Sequence, residues 1–94
     1  MYAVLGVWEM DPARDEAQQS ALEGIVAGVS QLPGLVKGYW SDYEDPGRSH
    51  TFIVFSDRDA AVAFADNVRG NAENQTRSGV RNISLDIVAV KATT

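Results

Sequence analysis

One histidine and no cysteine leave this chain little conventional chemistry to draw on. His50 is the single candidate general base for neutral pH, and Tyr43 lies near it across a tight turn. A lone histidine beside a turn is more often a half-exposed surface or interface residue. Metal binding would need His50 joined by Asp42 or Glu44, with no second histidine and no thiolate, so no metal site is predicted. No nucleophile elbow supports a Ser-His-Asp arrangement. The remaining material is aromatic: Trp8, Trp40, Phe55 and Phe64 can line an apolar pocket for a small aromatic ligand, or can simply pack a core. Arg58, Arg69, Arg77 and Arg81 are scattered through polar sequence and read as solvated surface.

The elements that must position these side chains fit into one domain, residues 1–94, since 94 residues are too few for two separate cores. A hydrophobic share of 45% with 22% charged residues is ordinary globular composition. A net charge of −5 repels a phosphate backbone, so no nucleic-acid partner is expected. No apolar stretch reaches the roughly 20 residues of a membrane span and no leader precedes the first strand, so a cytoplasmic protein without a membrane partner is expected.

Tyr2 to Trp8 is an apolar run that predicts a strand covered on both faces. Asp11-Pro12 reads as a helix start, with a helix over roughly 12–32 carrying Leu22, Ile25, Val26, Val29 and Leu32 at helical spacing. Gly24 and Gly28 inside it are read first as sites of tight packing on the sheet, and second as room for a ligand. Residues 35–43 and 49–56 form a hairpin around Asp45-Pro46-Gly47-Arg48, with Tyr43 predicted opposite His50, Trp40 opposite Ile53 and Gly38 opposite Phe55. Ser56-Asp57 caps a second helix bearing Ala61, Phe64, Ala65 and Val68 up to Gly70. Residues 71–79 read as a loop or a loose helical turn, and 83–91 as a last strand. The order βαββαβ gives an α+β, ferredoxin-like antiparallel sheet with two helices on one face.

Two short helices cannot hide both sides of such a sheet. Whichever hairpin face they cover, the other keeps Trp40, Ile53 and Phe55, or else Tyr39, Tyr43, Phe52 and Val54. An apolar patch of that size predicts a second copy of the chain as partner, a homodimer joined through the sheet.

In the order of its signals the chain resembles the dimeric α+β barrel superfamily, and within it the antibiotic-biosynthesis-monooxygenase-like (ABM-like) domains. The resemblance is carried by the strand start, the acidic Pro-capped helix, Leu32-Pro33-Gly34-Leu35, the Asp45-Pro46-Gly47 hairpin, and Val54-Phe55-Ser56-Asp57 before an alanine-rich helix. It implies a sheet-to-sheet homodimer, a pocket between sheet and helices, and in some members oxidation of polycyclic phenols with no cofactor. Other members degrade haem with a Trp late in the third strand, a His on the next helix and an Asn on the first strand. Here those places hold Phe55, Phe64 or Ala65, and no asparagine, which argues against haem degradation. By the same matching Phe55 faces the helices, Trp40 and Gly38 lie in the pocket, and Tyr39, Tyr43, Phe52 and Val54 form the dimer face with His50. The expected function is a cofactor-independent monooxygenase acting on an aromatic substrate. Its rival is a non-catalytic ligand-binding or dimerisation module of stress-response type, and a third reading, an isomerase or dehydratase of small acids, would need His50 to face a cavity.

Overall fold

Alternating pairs of β-branched and aromatic residues hold four strands together, and a computed structural model describes them with the rest of residues 1–94. The strands are β1 (Tyr2–Met10), β2 (Leu35–Asp42), β3 (Arg48–Phe55) and β4 (Val80–Ala89), in the antiparallel order β2-β3-β1-β4. Between them run α1 (Asp15–Val29), α2 (Arg58–Gly70) and α3 (Ala72–Arg77). This is the ferredoxin-like α+β fold, with one short helix more than the two expected.

The register sorts the side chains into two faces. Toward the helices the rows run Leu35, Phe55, Tyr2, Ala89; then Gly38, Ile53, Val4, Ile87; then Trp40, Thr51, Gly6, Leu85; then Asp42, Ser49, Trp8, Asn82. Away from them run Lys37, Val54, Ala3, Val88; Tyr39, Phe52, Leu5, Asp86; and Ser41, His50, Val7, Ser84. The hairpin pairing therefore differs from the expected one by two residues: Trp40 meets Thr51, Gly38 meets Ile53 and Ser41 meets His50. The cause is a turn placed one residue earlier than expected: Tyr43 N–H donates to Arg48 O (2.9 Å), and Gly47 takes the left-handed conformation, φ 87°, that the Pro46-Gly47 turn requires. Because a strand repeats every two residues, a slip of two leaves each side chain on its expected face.

Asp11 caps the turn that opens the first helical segment, its Oδ1 accepting from Ala13 N–H (3.0 Å), and Pro12 starts a short 3-10 turn before α1. The helix proper is shorter than the predicted span because its first turn tightens and its last frays into the turn before Pro33. Asp57 caps α2 in the same way through Ala60 N–H (2.9 Å). The buried core is small: Val4, Ile53, Phe55, Ala61, Ala65 and Val29 form one cluster at the closed end of the sheet. Residues 72–77, expected as a loop or a loose helical turn, take the helical alternative despite having no apolar stripe. Local polar bonds hold them: Gln75 Nε2 donates to Val68 O (2.9 Å), Asn74 Nδ2 to Asn71 Oδ1 (2.7 Å) and Thr76 Oγ1 to Ala72 O (3.0 Å). No helix is long and apolar enough to cross a membrane.

Candidate functional site, a cleft floored by two tryptophans

α2 lies against β1, β3 and β4 through side chains as small as Ala61 and Ala65, both fully buried. α1 stands off the sheet. Its Ile25 and Val26 are 49% and 39% exposed, and a methyl group added at Gly24 or Gly28 would meet nothing within 4 Å. The packing reading of those two glycines is therefore overturned, for the space beside them is open. A cleft of about 1470 Å³ occupies it, roofed by Leu22, Ile25 and Gly28 and floored by the sheet.

The floor repeats one local device. On β1 the sequence is Gly6-Val7-Trp8, on β2 it is Gly38-Tyr39-Trp40, and in both the indole folds back over the glycine two residues before it. A Cβ on Gly6 would lie 2.7 Å from Trp8 Nε1, and one on Gly38 would lie 2.9 Å from Trp40 Cζ3, so neither position has room for a side chain. A β-bulge falls between Val7 and Trp8, opposite Asn82, whose Nδ2 donates to Val7 O (3.1 Å) and Ser84 O (2.9 Å) and so fixes the irregularity. β1 and β2 are separated by β3 alone, so the strands that bear the two tryptophans lie about 10 Å apart, with Trp8 one row beyond Trp40. Thr51 of β3 stands between them, and its Oγ1 accepts the Trp8 Nε1–H bond (3.2 Å).

The closed end of the cleft is made by Phe55 and Phe64, whose rings lie 5.4 Å apart at 42°. All four of Trp8, Trp40, Phe55 and Phe64 thus border one space. At the open end Ser49 Oγ–H donates to Asp42 Oδ1 (2.6 Å). The ionised residues bordering the cleft are Asp15, Asp42, Asp45, Asp57, Asp59 and, opposite in sign, Arg48. No cluster of histidine and carboxylate side chains has the closeness a metal ion needs.

His50 points the other way. Its ring meets Tyr43 edge-on, centroids 6.2 Å apart at 87°, on the sheet face that carries Tyr39, Phe52 and Val54. On that face Tyr39 and Tyr43 are 55% and 44% exposed, while Val54 is already buried by its own neighbours. Two participants in the floor escaped the reading of the sequence, Thr51 and Gly6. The twice-repeated Gly-x-Trp was the signal that could have found them, because a bulky residue two places after a glycine in a strand shares its face.

No family model matches the chain and no curated protein matches its sequence. Solved structures do match its fold. A cofactor-independent oxygenase, SnoaB from Streptomyces nogalater, aligns over 98% of this chain and 94% of its own with a TM-score of 0.72 and 17% identity. A candidate antibiotic biosynthesis monooxygenase from Deinococcus radiodurans aligns over 100% and 94%, TM-score 0.75, 16% identity. A heme-degrader, MhuD from Mycobacterium tuberculosis, solved with two hemes in its active site, aligns over 100% and 99%, TM-score 0.74, 12% identity. The chain has the α+β fold of these ABM-type domains. At such identities the fold is what the likeness establishes.

Proposed function

We propose that the chain is an ABM-like domain, acting in the cytoplasm as a sheet-to-sheet homodimer, that binds a planar aromatic molecule between α1 and the tryptophan floor. The observation that carries this is the cleft itself, an open apolar space bordered by both tryptophans of the chain under a helix held clear of the sheet. Its proposed reaction is cofactor-independent oxygenation of a reduced phenol, whose anion can hand electrons to dioxygen without a redox group in the protein. The acidic border works against a polyanion such as haem, and Phe55 at the end of β3 offers a flat apolar wall where haem degraders have an indole. The apolar residues Tyr39, Tyr43 and Phe52, with the β1 residues Leu5 and Val7 beside them, make the dimer face. Covering that face would remove from water a patch larger than lone subunits usually carry.

A second reading is favoured by one feature: the two middle rows of the floor hold no ionisable side chain, Asp42 at the open end is bonded to Ser49 (2.6 Å), and His50 is on the opposite face. Under it the domain binds its ligand and does not turn it over. Oxygen consumption with anthrone separates the two. The oxygenase reading expects uptake matched by quinone formation, and the binding reading expects saturable association with no uptake. Absence of both overturns the proposal, as does sedimentation of the chain as a single subunit at micromolar concentration for the dimer.

A further inference from the structure

The two middle rows of the cleft floor, Gly38 to Ile87 and Trp40 to Leu85, are apolar but for one hydroxyl, that of Thr51. Thr51 lies in one row with Trp40 and Gly6, so the indole of Trp8, folded over Gly6, flanks it on one side, while on the other Trp40 stands beside it with its ring leaning over Gly38. A hydroxyl has one proton to give and two lone pairs. Thr51 spends a lone pair on Trp8 Nε1–H (3.2 Å), and no group of the protein takes its proton. The neighbouring Ser49 is spent, since its hydroxyl donates to Asp42 (2.6 Å). An oxygen that accepts a hydrogen bond donates the next one more strongly, so the indole N–H polarises the threonine toward whatever lies above it. The same bond, with branching at Cβ, holds the Thr51 side chain in one rotamer.

From this we infer that Thr51, backed by Trp8, is the residue that recognises oxygen on the ligand: a carbonyl or phenolic oxygen in the middle of a flat aromatic system accepts the Thr51 Oγ1–H bond. The inference rests on the cleft being a ligand site and adds the chemical class and orientation of what it holds. A molecule laid across the floor reaches toward both indoles and presents its central edge or ring to Thr51. The ligand is then an elongated, oxygen-bearing polycycle, and a hydrocarbon of equal shape is discriminated against. The polarised donor also favours the anionic form of that oxygen over the neutral one, because charge-assisted bonds are the stronger kind.

The test compares anthrone with 9,10-dihydroanthracene, which has the same outline without the oxygen, by equilibrium dialysis against the intact chain. Thr51→Val is expected to weaken anthrone about tenfold and to leave dihydroanthracene within about twofold. Thr51→Ser restores anthrone binding, and Trp8→Phe, which keeps the ring but loses the N–H, weakens anthrone about threefold. Trp40→Phe serves as the control, since the Trp40 N–H makes no bond within the chain and could offer a rival donor. Equal losses for both compounds in Thr51→Val, or selective loss of anthrone in Trp40→Phe alone, overturn the assignment while the cleft reading stands. If the unaltered chain binds neither compound, the cleft reading falls and this assignment with it. Should Thr51→Val not fold, the Ser and Trp8→Phe variants still decide the matter.

Discussion

α1 and α2 lie on one face of one sheet and seat on it in opposite ways. α2 comes down on Ala61 and Ala65, residues with nothing beyond a methyl group, and its backbone reaches the strands. α1 carries the larger apolar side chains, Leu22, Ile25 and Val26, yet two of these stay substantially exposed. It is held at its ends instead. Gln18 Nε2 donates to Asp11 O (2.9 Å) and Ser78 O (3.0 Å), Arg14 donates to Arg77 O, and Val29 at the far end enters the core. A helix pinned at both ends can span a space that one packed along its length must fill. The apolar surface left uncovered by this arrangement is stabilisation a ligand can still supply, at about 25 cal/mol for each Å² it covers.

Four substitutions sharpen or break that contrast. The largest effect belongs to Phe55→Ala under α2, where a fully buried ring is removed: a loss of about 3–5 kcal/mol in chemical denaturation is expected. Ile25→Ala on α1 should cost under about 1 kcal/mol, as for a residue near the surface. Equal costs would mean that α1 packs as α2 does. Next comes Ala65→Leu, which must push α2 off the sheet and should lower stability by about 1–3 kcal/mol, read as a fall in Tm. Smallest, and opposite in sign, is Gly28→Ala. With open space around the new methyl group and a helix interior that favours alanine, a gain of about 0.4–1 kcal/mol is expected. A loss there would show that α1 closes on the sheet.

How much of this the residues announce depends on the kind of signal. Strand faces are legible because a period of two survives even a mistaken register, which is why Phe55, Trp40 and His50 fall on the faces read for them although the hairpin pairs two residues away from expectation. Caps are legible too, as Asp11 and Asp57 illustrate. The short helix at 72–77 is legible only as one of two alternatives, since it buries nothing and depends on side-chain amides whose partners no periodicity describes. The stance of α1 is not legible. Gly24 and Gly28 look the same in sequence whether a strand or empty space lies beside them, and only the anchoring of the helix ends decides. Thr51 was hidden for a related reason, as its role comes from a neighbour 43 residues away.

The folding of both indoles onto the cleft floor has a practical side. These are the only two tryptophans in the chain, so its tryptophan fluorescence originates wholly from that floor. Emission will follow what enters beneath α1 and stay nearly blind to events on the tyrosine-bearing side of the sheet. The Trp8 lifetime, set by an indole bonded to Thr51, can be resolved from that of Trp40 by replacing either ring with phenylalanine. The molecule thus carries its own optical gauge of occupancy, calibrated separately at two points along the bound ligand.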